Sequence, residues 1–255
     1  MNIFLGPVSA YLSSPVHTIA GDALAERAAE IFHGLGVSSL LVGAPDGRAL
    51  GVISRTDLLR RSGALVRDRM SHPVIAARAS DTIRSAAREM WTRRVHRLYV
   101  LEDGHPVGVF GTREVMLAVR DSKSVAPLAD LMTAPVVTVD VASPTREATA
   151  LLEERGIAGV IVVEGEFPVG LYTQVEALSA RARLPGAIVE DVMSHALLCL
   201  RTTIPAHRAA AFSVSASARR VVVVHQHEMR GLVTGLDFAR LAAEVPAPHA
   251  GVAAG

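Results

Sequence analysis

Gly51-Val52-Ile53-Ser54-Arg55-Thr56-Asp57 decides the fold, because its pattern occurs four times. The pattern is Gly, two apolar or aromatic residues, a small residue, two variable residues and an acid. It returns as Gly108-Val109-Phe110-Gly111-Thr112-Arg113-Glu114, Gly170-Leu171-Tyr172-Thr173-Gln174-Val175-Glu176 and Gly231-Leu232-Val233-Thr234-Gly235-Leu236-Asp237. The acids lie 57, 62 and 61 residues apart. A second landmark keeps step: Leu12-Ser13-Ser14-Pro15, Met70-Ser71-His72-Pro73, Met132-Thr133-Ala134-Pro135 and Met193-Ser194-His195-Ala196, at spacings of 58, 62 and 61. Two landmarks at matching pitch mark an internal repeat, which outranks other evidence about fold. Repeats two and four share Met-Ser-His, which points to duplication of a two-repeat unit.

Each unit reads alike between its landmarks. A short extended piece comes first: Val16–Ile19, Val74–Ala77, Val136–Val139 and Leu197–Leu200. Helical periodicity follows. In repeat one Leu24, Ala28, Ile31 and Leu35 are expected on one face; repeat two offers Ile83, Ala87, Met90 and Trp91, and repeat three Ala148, Leu151 and Leu152. Ala209-Ala210-Ala211-Phe212, followed by serines, gives the weakest helix. Then come β-rich runs such as Val160–Val163 and Val221–Val224, and a turn such as Asp46-Gly47 or Asp103-Gly104. Asp-Gly between apolar runs signals a hairpin. The unit is β-α-β-β-α, an α/β fold whose three short strands require pairing with another unit. The expected bounds are 6–62, 63–121, 125–181 and 186–243, with repeats one and two forming module A, repeats three and four module B, and 244–255 a flexible tail.

Composition narrows the class. The 255 residues are 50 % hydrophobic and 20 % charged, which is a folded and cored chain. Net charge is +1, without the basic footprint of a dedicated nucleic-acid binder. Residues 1–124 carry +4 and residues 125–255 carry −3. Cys199 is the single cysteine, excluding an intrachain disulfide and any multi-cysteine metal site, and is expected as a buried strand thiol. No apolar run approaches the roughly 20 residues of a membrane helix, and no signal peptide is read at the N-terminus, so a cytoplasmic protein is expected.

The β-α-β-β-α unit with an opening Pro and a closing Gly-h-x-[Ser/Thr]-x-x-Asp resembles the CBS domain, two of which pack into a Bateman module. The resemblance covers residues 6–242 and implies two tandem modules. It also implies a sensor: CBS pairs usually bind adenine nucleotides or S-adenosylmethionine between repeats. In that pattern the motif Asp holds the ribose hydroxyls, the Ser/Thr and nearby helix N-terminus hold phosphate, and the opening strand holds adenine.

Carried over residue by residue, this places nucleotide-binding roles on Ser54, Thr56 and Asp57 in repeat one and on Thr234 and Asp237 in repeat four. Repeats two and three have Glu114 and Glu176 instead, which suit helix capping better than a diol. Val16, Thr18 and Thr138 match the opening strand. His96-Arg97 and Arg219-Arg220 stand at the approach to the cleft strand, where they meet a polyphosphate or serve as solvated charges. His225-Gln226-His227 has alternate spacing without a third metal ligand, so no metal site is assigned. There is no P-loop, no His-Glu-x-x-His and no Gly-x-Ser-x-Gly, and no nucleophile-base pair to carry an enzyme. The expectation is a non-catalytic sensor of an adenosine-containing ligand, without a catalytic cofactor, acting as a homodimer on a downstream protein partner. The alternative is a ligand-independent scaffold that docks a partner. Ligand identity and the presence of Mg²⁺ stay open.

Overall fold

The computed structural model describes residues 2–183 and 186–246, the side chains of residues 60 and 181–183 excepted. Four three-stranded sheets share one topology: the first strand parallel to the second, the second antiparallel to the third. Repeat one holds β1 (Thr18–Ala20), α1 (Ala25–Leu35), β2 (Ser39–Gly43), β3 (Ala49–Ser54) and α2 (Arg55–Arg60). After α3 (Val66–Arg69), repeat two holds β4 (Ala76–Ala77), α4 (Ile83–Arg93), β5 (Arg97–Glu102), β6 (His105–Gly111) and α5 (Thr112–Ser122). After α6 (Leu128–Leu131), repeat three holds β7 (Thr138–Asp140), α7 (Thr145–Glu154), β8 (Gly159–Glu164), β9 (Phe167–Thr173) and α8 (Gln174–Arg183). Repeat four holds β10 (Cys199–Arg201), α9 (Ala206–Ser215), β11 (Arg220–His225), β12 (Glu228–Thr234) and α10 (Gly235–Ala242).

The middle strands β2, β5, β8 and β11 bury both faces, as their unbroken apolar runs require. One face meets the repeat's own helices and the other meets the sibling repeat. Tyr99 on β5 shares a 3.1 Å hydrogen bond with Ser39 on β2 across this sheet-to-sheet contact. The hairpins turn with left-handed residues: Asp103 and Gly104 in repeat two, Gln226 and His227 in repeat four. His225 and His227 therefore sit at a hairpin end, and His225 Nδ1 lies 3.4 Å from Thr202 Oγ1.

The two sequence landmarks meet across each pair. Ser71 bridges to Val52, Ser13 to Val109, Ser194 to Leu171 and Thr133 to Leu232, so each opening segment lies on the third strand of its sibling. The opening Met or Leu then covers the sibling's motif glycine. A Cβ on Gly51, Gly170 or Gly231 would lie 2.8, 2.7 or 2.7 Å from the sulfur of Met70, Met193 or Met132, and one on Gly108 would lie 3.2 Å from Leu12. Only a residue without a side chain admits that approach.

The helices join the modules. On one side α4, α5, α9 and α10 interlock repeats two and four around one apolar core that includes Met90, Val115, Val119, Ala209, Ala210, Phe238 and Ala242. On the other, α2 of repeat one meets α8 of repeat three.

Three expectations need correction. The buried face of α1 is Ala25, Ala28 and Phe32, while Leu24 and Leu35 are exposed. Leu24 is the N-cap residue and Leu35 the last helical residue, so both ends of the expected stripe lie beyond the part of α1 that meets the core. Cys199 is exposed, because β10 is an edge strand with an alternating pattern and the residue faces outward. Within the expected tail, Glu244 accepts a 3.1 Å hydrogen bond from Asn2 Nδ2 and pairs with Arg84, and Val245 packs on the core. Residues 247–255 of that tail lie outside the described residues.

Candidate functional site

The motif aspartates, Asp57 and Asp237, are buried at the N-terminal turns of the repeat-closing helices α2 and α10. Asp57 Oδ2 accepts from the Ser54 amide at 2.9 Å and the Ser54 hydroxyl at 2.5 Å, while the Asp57 amide donates to Ser54 Oγ. Its other oxygen, Oδ1, accepts from Ser71 Oγ of the sibling's opening segment at 2.9 Å and lies 3.6 Å from Arg61. Asp237 Oδ2 accepts from the amide and hydroxyl of Thr234 at 2.7 and 2.8 Å. Burial holds the Asp237 carboxyl above the usual range, against the pull of the Thr234 hydrogen bonds, Arg240 and Arg94. Both acids thus act as capping residues, and Asp57 has both oxygens engaged.

Glu114 and Glu176 cap in the same way. Glu114 accepts from the Gly111 amide and, through its second oxygen, from Ser13 at 2.9 Å. Glu176 accepts from the amide and hydroxyl of Thr173. The hydroxyl of Thr56 does not open to solvent alone: it accepts from Gln174 Nε2 of repeat three at 2.7 Å, across the module boundary.

The opening-strand residues lie elsewhere. Val16 and Thr18 line an open cleft of about 570 Å³ with His17, Arg27, Glu30 and Ile31. Thr138 is exposed on β7. The expected residues thus stand in capping boxes (Ser54, Asp57, Thr234, Asp237), on opening segments (Val16, Thr18, Thr138) and at strand starts (Arg97, Arg220).

The centre is where charge converges. His96 and Arg97 enter at the start of β5, Arg219 and Arg220 at the start of β11, and Arg55 at the first turn of α2. Arg97 Nη2 donates to Ser38 Oγ at 2.8 Å. Arg220 occupies the equivalent place in module B, where its guanidinium lies against Gly159; a Cβ there would be 2.9 Å from it. Arg55 donates to the Phe32 carbonyl at 3.1 Å and sits over the Phe32 ring at 5.7 Å.

These cations feel one another. Burial, then Arg219 and Arg97, lowers Arg55 to about 10. Burial and Arg219 lower Arg220 to about 10, and Arg219 is lowered by burial and Arg97. His96 falls to about 4 through burial and the charges of Arg220, Arg219 and Arg97, so it is neutral at pH 7. Protein encloses His96 and Arg219 on most sides, yet both keep exposed surface. Glu114 and Glu176 are the carboxylates that offset the arginines. Four guanidinium groups against two carboxylates leave an excess of positive charge suited to an anion.

Arg55 is the member of this cluster that the sequence reading missed. It stood at a variable position of the repeat motif. An arginine at the first helical position, with no acidic residue placed to pair with it one turn away, was the available signal.

The CBS-domain family model matches residues 8–64, 66–121 and 128–183. The chain belongs to the CBS-domain family. The four sheets of one topology make it a four-CBS protein, with two Bateman modules. The crystal structure of MJ1225 from Methanocaldococcus jannaschii, described as a candidate archaeal homologue of γ-AMPK, is similar with a TM-score of 0.83 at 15% identity, covering 92% of this chain and 99% of that one. A conserved protein from Pyrococcus horikoshii matches with a TM-score of 0.69 at 18% identity, over 92% and 99% of the two chains. At such identities these likenesses speak to the CBS fold alone. In sequence, MJ1404 of M. jannaschii is 25% identical over 175 residues, 60% of this chain and 42% of that relative, so the match spans less than half of that protein. Only CBS domains are matched in the chain, and none of its described helices is long and apolar enough to cross a membrane.

Proposed function

We propose that this CBS protein is a non-catalytic sensor of an adenine nucleotide whose phosphates bind the arginine cluster. The observation that carries the proposal is the convergence of Arg55, Arg97, Arg219 and Arg220 around neutral His96, each drawn from a strand start or helix start facing the centre. Charge-assisted hydrogen bonds from guanidinium to phosphate are strong and directional. The same cluster disfavours S-adenosylmethionine, whose sulfonium is cationic. The ribose hydroxyls would bind at Asp237, whose Oδ1 accepts no hydrogen bond among the described residues, in preference to Asp57. Binding signals to a protein partner by favouring one arrangement of the modules, which requires unequal affinity for the two arrangements.

Calorimetric titration with AMP, ADP, ATP and S-adenosylmethionine, with and without Mg²⁺, tests this. The expected order follows phosphate number, with S-adenosylmethionine silent. Replacing Arg219 or Arg220 with Ala should weaken ATP binding roughly tenfold to a hundredfold, the loss of one charge-assisted hydrogen bond. Absence of nucleotide binding below millimolar concentration would sink the sensor reading.

A scaffold reading has its own support: both Asp57 oxygens are spent inside the protein. Under that reading a pull-down returns the same partners with or without ATP, and after Asp57→Ala with Asp237→Ala.

A further inference from the structure

The two modules treat their motif acids differently. In module A each acid is held by the opening serine of the sibling repeat. Ser71 Oγ donates to Asp57 Oδ1 at 2.9 Å, and Ser13 Oγ donates to Glu114 Oε1 at 2.9 Å. The exchange is reciprocal: repeat two supplies the hydroxyl for repeat one, and repeat one supplies it for repeat two. In module B the counterparts are Thr133 for Asp237 and Ser194 for Glu176. Neither hydroxyl reaches its acid among the described residues. Ser194 Oγ accepts from the Ala196 amide at 3.3 Å instead. The hydrogen bonds to Asp237 and Glu176 all end on Oδ2 and Oε2.

The backbone does not separate Ser71 from Thr133. Ser71 and Val52 exchange amide-to-carbonyl hydrogen bonds of 2.8 and 2.9 Å, and Thr133 and Leu232 exchange bonds of 2.9 and 3.0 Å. Each opening segment is also pinned from the motif helix. Arg61 Nη1 donates to the carbonyls of Arg69 and Met70 at 3.3 and 2.5 Å, and Arg240 Nη2 donates to those of Asp130 and Leu131 at 3.2 and 3.0 Å. The opening residue is thus delivered alike in both modules, and its side chain makes the difference. Serine turns its hydroxyl freely. Threonine carries a second heavy atom on Cβ, which restricts χ1.

The chemistry of Ser71 is that of a ligand hydroxyl. A sugar would approach Asp57 Oδ1 as an O–H donor, and Ser71 already donates there. The other oxygen, Oδ2, is taken by the Ser54 amide and hydroxyl. A hydroxyl donating to a carboxylate makes the same charge-assisted bond whether it comes from serine or sugar. Exchanging one for the other gains little, and the internal donor has no association entropy to lose.

We propose that Ser71 is an internal occupant of the Asp57 site. Its hydroxyl stands where a ligand hydroxyl would, which silences module A and leaves Asp237 as the diol-binding acid of the chain. This rests on the reading of Asp237 above. Ser71 and Thr133 then set how many ligands one chain takes.

Calorimetric stoichiometry tests it on the full chain, with ATP and with 2′,3′-dideoxy-ATP, which lacks the diol. Wild type should take one ATP. Ser71→Ala should take two, and adding Asp57→Asn should return it to one. The dideoxy analogue should not reveal the added site. Ser71→Thr copies the open module and should behave as Ser71→Ala does, with circular dichroism checking that both variants are folded. Thr133→Ser gives Asp237 the occupant it lacks and should weaken ATP binding roughly tenfold, the loss of one charge-assisted hydrogen bond. One ATP in both Ser71→Ala and Ser71→Thr would overturn the proposal, as would a wild-type stoichiometry of two that Asp57→Asn reduces to one. A silent wild type beside a Ser71→Ala variant that binds ATP through Asp57 would keep the internal occupant and overturn the Asp237 reading. Silence of every variant would overturn both.

Discussion

His96 ties function to pH at the level of one side chain. Its ordinary value of 6.5 falls to about 4 in the fold, through burial and then the neighbouring arginines. A depressed histidine contributes stability that is complete above about pH 6.5, where both folded and unfolded chains hold it neutral. That stability drains as pH falls toward 4, because only the unfolded chain takes up the proton. The Tm of the unliganded protein should therefore fall over this window, and His96→Gln should flatten the slope; an unchanged slope would remove His96 from the account. A phosphate beside the ring reverses the electrostatics, so pyrophosphate should move the imidazole titration toward neutrality by NMR. Ser213 makes a different case. Its hydroxyl is buried on α9 without a hydrogen-bond partner among the described residues. Ser213→Ala should stabilise the protein by about 1 kcal/mol in urea denaturation, since an unpaired buried hydroxyl is worse than none.

At the scale of elements, the motif glycines and the opening methionines form one contact. Gly231→Ala would place its Cβ within 2.9 Å of three Met132 atoms, and overpacking of that kind costs about 1–3 kcal/mol. Met132→Ala in the same chain should recover part of the loss, which a double-mutant cycle measures. The sequence made much of this level readable. Val160–Val163 and Val221–Val224 are strands buried on both faces, and the Asp-Gly turns close hairpins where expected. The pitch of the two landmarks marked the repeat, and the three short strands of each unit called for a partner. What stayed hidden was long-range. Leu24 and Leu35 looked like a helix face because periodicity alone cannot fix where a helix begins; Ala25 and Phe32 carry the burial instead. The alanines of α9 look like a weak helix when read alone, yet Ala206, Ala209 and Ala210 are small because α5 packs closely on them. Most of the central cluster was legible: four of its five basic residues stood out as pairs at strand starts, and Arg55 did not.

The whole molecule is held by surfaces that neither module satisfies alone. Residues 1–124 expressed by themselves would expose Ala86, Ala87, Met90, Met116 and Val119, all buried in the intact chain. Contiguous apolar patches of this kind drive association, so the isolated segment should sediment as a dimer or larger, in contrast to a variant with Met90→Glu and Val119→Glu. Sedimentation of the wild-type segment as a monomer would count against the shared core. The exchange of opening segments between sibling repeats has an evolutionary consequence. A lineage can lengthen or shorten such a protein only by even numbers of units. A fifth unit, or a deletion that left three, would strand one outer β-edge without its covering segment and one glycine without its methionine. Uncovered edges of that kind recruit other chains. The selective cost of odd copy number is thus set by backbone pairing, before any ligand enters.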